Sequence, residues 1–307
     1  MRTVYLGTSE FAAAVLRRLA ASRHRPVLVV TRPDRPRGRG RRLASPPVAD
    51  AARELGIALD QPASVGEERA RARIADSRPD VICVCAFGAL IKEPLLSEQL
   101  ILNVHPSLLP RWRGAAPIER AIIAGDEQTG VSIMRVTAGL DSGPVCLQVA
   151  EPIEPGDTYG SLAARLQALG GELLVDALDR SPPCAEQDES LATYADKIIA
   201  RDRTLDPSRP AAELERVVRA LTPHIGAHVE LVDRGTLGVR AARALAVADG
   251  PPAGALSLDG PRPVLGCAPG LLELLVVQPP GRRAISGEDY VRGYGRDGAD
   301  HVRGFGR

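Results

Sequence analysis

The feature that most narrows the choice of fold is a series of strands that are apolar on both faces and separated by amphipathic helices. "RTVYLG" reads as a buried strand, and "EFAAAVLRRLAAS" after it carries apolar residues at helical spacing. "RPVLVVT", "RPDVICVCAFG" and "LILNVH" repeat the strand pattern, with a helix over "VADAARELG" that stops at Gly56. A strand with no polar face must be covered on both sides. The alternation therefore predicts an α/β fold with a doubly wound, mostly parallel sheet.

From about residue 131 the pattern changes. "GVSIMRVT" and "GPVCLQVAEPI" read as two strands joined by the Gly-rich turn "AGLDSG". A long helix follows over "TYGSLAARLQALGGELLVDALDR". The polar, proline-bearing "SPPCAEQDES" then closes a first domain. We expect this domain over 1–184, a linker over 185–207 and a second domain over 208–307. Within the second, a helix begins near Ala211, and short β-type runs separated by Gly, Pro and Asp predict a small OB-like barrel. "VRGYGR" and "VRGFGR" near the end read as an Arg/Gly tail that is either frayed or in contact with nucleic acid.

Composition excludes several classes. No apolar run reaches the length of a membrane span, and Glu10 interrupts the apolar N-terminal stretch, so a cytoplasmic protein is expected. The five cysteines form no Cys-x-x-Cys pair, which indicates neither a disulfide framework nor a zinc site. "GTSEFA" after the first strand lacks the G-x-G-x-x-G pattern of a dinucleotide site. His224 and His228 have helical metal spacing, but Pro223 and Gly226 argue against a helix there, and no metal is expected.

Chemistry is concentrated where "LILNVH" ends. Asn103 and His105 stand two residues apart on a strand, so their side chains leave the same face. Ligands of parallel α/β sheets bind at the carboxyl ends of strands. An amide donor beside an imidazole suits stabilisation of an oxyanion with movement of a proton. The same spacing also fits a strand end whose Asn and His merely satisfy loop backbone. Asp141, in "GLDSGP", is an ordinary turn residue unless the fold brings it to the imidazole. Six of the eleven residues from 32 to 42 are Arg, a loop that suits a phosphate backbone or else is a solvated insertion.

The segment "NVHPSLLPRWRGAAPIERAIIAGDEQTGVSIM", followed by "GLDSGP", resembles the folate-dependent formyltransferase family. The likeness continues in order through "PDRPRGRGRRL", "ESLATYADKI" and "VVQPPGRRAIS" and covers nearly the whole chain. It implies an enzyme whose co-substrate is 10-formyltetrahydrofolate. "LLPRWRGAAPI" and the Arg/Gly loop imply, as acceptor, the α-amino group of methionine on initiator tRNA, giving N-formylmethionyl-tRNA for translation initiation. The resemblance assigns Asn103 to the formyl oxygen and His105 to the amine proton, with Asp141 holding His105. It assigns Ser107, Leu108, Leu109 and Pro110 to the folate, and Arg37, Arg39, Arg41 and Arg42 to the tRNA. A monomer is expected. Other outcomes are the same chemistry on a sugar-nucleotide amine, or a non-catalytic RNA-binding relative. The chain departs from the family at His224, where relatives often carry Trp, and in a linker with Arg201 and Arg203 in place of lysines.

Overall fold

The computed structural model describes residues 1–37, 42–247, 249–295 and 300–303. The chain divides into two compact units. The first contains Met1–Pro117, Gln128–Pro152 and Ala163–Asp196, and the second contains Ile118–Glu127, Ile153–Leu162 and Lys197–Arg307.

The first unit is built on a seven-stranded sheet. Strands Thr3–Gly7, Pro26–Val30, Ala58–Asp60, Val81–Cys85 and Ile101–His105 run parallel to one another. Strands Gln128–Arg135 and Val145–Pro152 extend the sheet in antiparallel sense beyond Ile101–His105. The sheet thus changes from parallel to antiparallel at the strand that carries Asn103 and His105. Thr3–Gly7 and Val81–Cys85 are buried at every position, as strands covered on both faces must be. Val4, Leu6, Leu28, Ile82 and Ile101 share one apolar core with Val65 and Ile74. The helix Glu10–Ala20 starts at Ser9, whose hydroxyl accepts from the Ala12 N–H, and it buries Phe11, Val15, Leu16 and Leu19.

The second unit holds an antiparallel sheet that closes on itself. Its order is Ala227–Leu231, Gly235–Leu245, Leu271–Gln278, Val264–Gly266, Ala255–Ser257 and Asp300–His301. Leu231 pairs with Val302, and Val232 N–H donates to His301 O at 2.8 Å, so the last edge returns to the first. This is the small barrel expected from the strand spacing. Helix Ala211–Leu221 adds Leu214, Val217, Val218 and Leu221 to the barrel core. His224 bonds Glu119 at 3.0 Å and stacks on Tyr159, while His228 Nε2 lies 3.3 Å from Thr204 Oγ1, so the two imidazoles face different partners.

Three features differ from the sequence reading or extend it. "VRGY" does not fray: Gly287–Tyr294 is a helix, capped by Ser286, with Tyr290 buried and stacked on Tyr294. Residues 185–196, read as linker, group with the first unit. A disulfide joins Cys146 to Cys184. Its physical basis is the antiparallel pairing of Val145 with Ala185, which sets residues 146 and 184 opposite each other. No local motif marks that pairing. No helix among the described residues is long and apolar enough to cross a membrane.

The cysteines give a direct test. Burial pushes the thiols of Cys83 and Cys85 up to about 12 and that of Cys267 up to about 11, so none is a thiolate near neutral pH. We expect iodoacetamide at pH 8 to label no thiol in the native protein. After native-state reduction it should label two, Cys146 and Cys184. Mass spectrometry reads the count, and labelling of Cys146 before reduction would contradict the pairing.

Candidate active site

Strand Ile101–His105 is held on both edges. Asn103 lies opposite Val84 on the parallel side and Met134 on the antiparallel side, and His105 lies opposite Ser132. Asn103 is half-buried, whereas the His105 side chain is almost wholly enclosed. The two leave the same face, as their spacing requires.

The two nitrogens of His105 face different groups, and only Nε2 is hydrogen-bonded. Its Nε2 lies 2.8 Å from the Trp112 carbonyl oxygen. A carbonyl only accepts, so the hydrogen is assigned to Nε2. Nδ1 then faces the Asp141 carboxylate, with Oδ2 at 3.7 Å. The same Oδ2 accepts the Gly114 N–H at 2.9 Å. The structure therefore brings Asp141 to His105, two residues along the strand from Asn103, and adds two backbone groups, Trp112 O and Gly114 N–H, that no sequence pattern marks.

Local backbone explains how the turn and the loop reach the imidazole. Asp141 adopts a left-handed φ of 45°, and Trp112 one of 63°. Both conformations are costly for residues with a Cβ and need support from their surroundings. Gly143 supplies part of it, since a Cβ there would overlap the Arg135 carbonyl oxygen and push the turn off the strand. Gly114 has a φ of 117°, which only glycine accepts readily, and a Cβ there would stand 3.0 Å from Ala195 O. That close approach is the backbone pairing of Arg113–Gly114 with Tyr194–Ala195.

The stretch after His105 is tied down by hydrogen bonds. Ser107 Oγ donates to Arg111 O at 2.6 Å, and Ser132 Oγ donates to Ser107 O at 2.6 Å. Ser132 Oγ also accepts from Leu109 N–H at 3.1 Å, and Gln148 Nε2 donates to Leu109 O at 2.7 Å. Ser107 and Leu109 are buried, while Leu108 and Pro110 are half-buried. At the Arg-rich segment, Arg35–Arg37 and Arg42–Ala44 form a short hairpin in which Arg37 faces Arg42 in register. Arg39 and Arg41 lie outside the described residues.

Arg113 is the largest fully buried side chain of the chain's described residues. Its NH1 and NH2 meet the two Glu189 oxygens at 2.8 Å each, and Nε and NH2 reach Gln187 Oε1 at 3.0 and 2.8 Å. This pairing raises the Arg113 guanidinium further above its ordinary value and lowers the Glu189 carboxyl. Thr193 O accepts the Arg113 N–H, and Thr193 Oγ1 the Trp112 N–H, at 2.9 Å each. Gln187, Glu189 and Thr193 therefore brace the loop that touches His105.

Two family models match this chain. Residues 1–178 match formyl transferase, and residues 197–295 match the formyl transferase C-terminal domain. The chain belongs to the formyl transferase family. This formyl transferase is 42% identical over 295 residues to methionyl-tRNA formyltransferase of Ectopseudomonas mendocina, covering 94% of this chain and 93% of the relative. It is 43% identical over 301 residues to the enzyme of the same name from Acidithiobacillus ferrooxidans, covering 95% and 96%. Its fold is shared by an N-formyltransferase from Helicobacter canadensis, solved with folinic acid and dTDP-3-aminofucose, at a TM-score of 0.65, 13% identity and coverage of 89% and 98%. HypX from Aquifex aeolicus, solved with tetrahydrofolic acid, shares it at a TM-score of 0.65, 16% identity and coverage of 95% and 47%. As a formyl transferase, the chain is an enzyme that moves one-carbon formyl groups and uses a folate co-substrate.

Proposed function

We propose that Asn103, His105 and Asp141 carry formyl transfer from 10-formyltetrahydrofolate to the α-amino group of methionyl initiator tRNA. The observation that supports this reading most is the Asp141 carboxylate, 3.7 Å from His105 Nδ1, while Nε2 is held by the Trp112 carbonyl. That imidazole has one nitrogen fixed by backbone and the other open to receive a proton beside a negative charge. The acceptor follows from relatives named methionyl-tRNA formyltransferase, matched over nearly the full length of both chains.

The chemistry needs charge stabilisation and proton movement. The amine nitrogen attacks the formyl carbon, negative charge grows on the formyl oxygen, and the bond from carbon to N10 of the folate breaks. Asn103 Nδ2 donates to that oxygen. His105 Nδ1 takes the proton that the attacking amine loses and returns it to N10. Asp141 balances the imidazolium that exists in between. Ser107, Leu108, Leu109 and Pro110 form the segment that holds the folate. Arg37, Arg39, Arg41 and Arg42 hold the acceptor end of the tRNA through its phosphates. The enzyme acts in the cytoplasm as a monomer.

Competition between acceptors tests the reading. With 10-formyltetrahydrofolate as donor, product should form on methionyl initiator tRNA and not on a dTDP-linked amino sugar. Product on the sugar alone would keep the catalytic residues and overturn the acceptor. Arg39→Ala should lower kcat/KM for the tRNA about tenfold, as expected for a lost phosphate contact. It should leave KM for the folate within about twofold. Equal loss on both substrates would remove Arg39 from the tRNA surface.

A further inference from the structure

We infer that Gln187 is a positioning residue for formyl transfer, setting where the Asp141 carboxylate stands relative to His105. The inference rests on the roles proposed above for those two side chains. Gln187 uses its whole hydrogen-bonding capacity on the two segments that build the site. Its Oε1 accepts from Arg113 Nε at 3.0 Å and NH2 at 2.8 Å. Its Nε2 donates to Asp141 O at 2.9 Å and Gly143 O at 2.7 Å. The amide cannot be reversed. A flip would aim its NH2 at a guanidinium and its oxygen at two carbonyls.

One side chain thereby joins the loop and the turn. Arg113 lies between Trp112, whose carbonyl meets His105 Nε2, and Gly114, whose N–H meets Asp141 Oδ2. Arg113 is 1% exposed, so it has little room to move, and the bidentate Glu189 pair fixes its charged end. On the other side, Gln187 grips the carbonyls of the turn at Asp141, a residue held in left-handed backbone. The Val145–Ala185 pairing and the Cys146–Cys184 bridge anchor the segment that carries Gln187. None of these groups touches the reacting atoms. They decide the distance between two that do.

Gln187→Glu keeps the acceptor that Arg113 needs but removes both donors and sets a carboxylate against two carbonyls. Displacement of a reacting group by about 1 Å costs up to about 100-fold in rate. We therefore expect single-turnover transfer to slow about 10- to 100-fold, with KM for tRNA and folate within about twofold. In an Asp141→Asn background the same change should cost less than about twofold, because the carboxylate that it positions is gone. A merely structural role would give the same loss in both backgrounds, and that result would overturn the inference, as would an unchanged rate in Gln187→Glu. Should Gln187→Glu fail to fold, Gln187→Met, which removes the hydrogen bonds without adding charge, gives the same comparison. An Asp141→Asn enzyme with the wild-type rate would instead overturn the catalytic reading itself, and this inference with it.

Discussion

Asp141→Asn should lower kcat about 1,000-fold while leaving KM for both substrates within about threefold. The substitution is isosteric and retains an oxygen to accept the Gly114 N–H, so the loop keeps its place. What it removes is one negative charge, 3.7 Å from His105 Nδ1. At that separation, with an effective dielectric of about 20, the attraction between carboxylate and imidazolium is about 4 kcal/mol. His105 is almost fully enclosed and Asp141 mostly so, which limits how far water can replace the lost charge. A loss of about 4 kcal/mol at the step that forms the imidazolium corresponds to about three orders of magnitude in rate. A rise in KM with kcat intact would mean that Asp141 binds substrate and does not act through the imidazole.

Asn103→Ala should cost about 100- to 1,000-fold in kcat, the usual effect of deleting one donor to a developing oxyanion. Its effect on folding should be small, within about 1 kcal/mol. The residue is half-buried, and the backbone pairings to Val84 and Met134 do not depend on its side chain. Steady-state kinetics and a thermal melt separate the two effects. A large drop in Tm with proportionate loss of activity would place Asn103 in the structure of the strand end, the alternative that its spacing leaves open. A change in kcat alone places it on the formyl oxygen.

The parts of this site that were legible in the sequence are those that local pattern encodes. Period-two spacing sets Asn103 and His105 on one face, and apolar runs on both faces place their strand inside a covered sheet. Asp141 could be located in a turn, but not brought to the imidazole, because its approach depends on left-handed backbone and on Gly143 lying against Arg135. The Trp112 carbonyl and the Gly114 amide were invisible for a simpler reason, since every residue carries such groups. Gln187, Glu189 and Thr193 belong to a stretch with no helical or strand period. Gln187 and Glu189 act through side-chain bonds to Arg113, and Thr193 precedes a two-residue pairing, Tyr194–Ala195 with Arg113–Gly114, too short to leave a pattern. Cys146 and Cys184 were unreadable as a pair because only the Val145–Ala185 contact aligns them. The helix Gly287–Tyr294 could have been found. "SGED" sets a capping Ser286 ahead of Asp289, and Ser286 Oγ accepts the Asp289 N–H at 3.1 Å.

The most direct test of the whole account follows labelled formyl from 10-formyltetrahydrofolate in a single turnover, using wild-type enzyme, Asn103→Ala and Asp141→Asn with methionyl initiator tRNA. Label should appear rapidly on the methionine of the tRNA in the wild type. Both variants should bind tRNA and folate as the wild type does and transfer label at least about 100-fold more slowly. Wild-type rates in both variants would contradict the assignment of chemistry to the end of strand Ile101–His105.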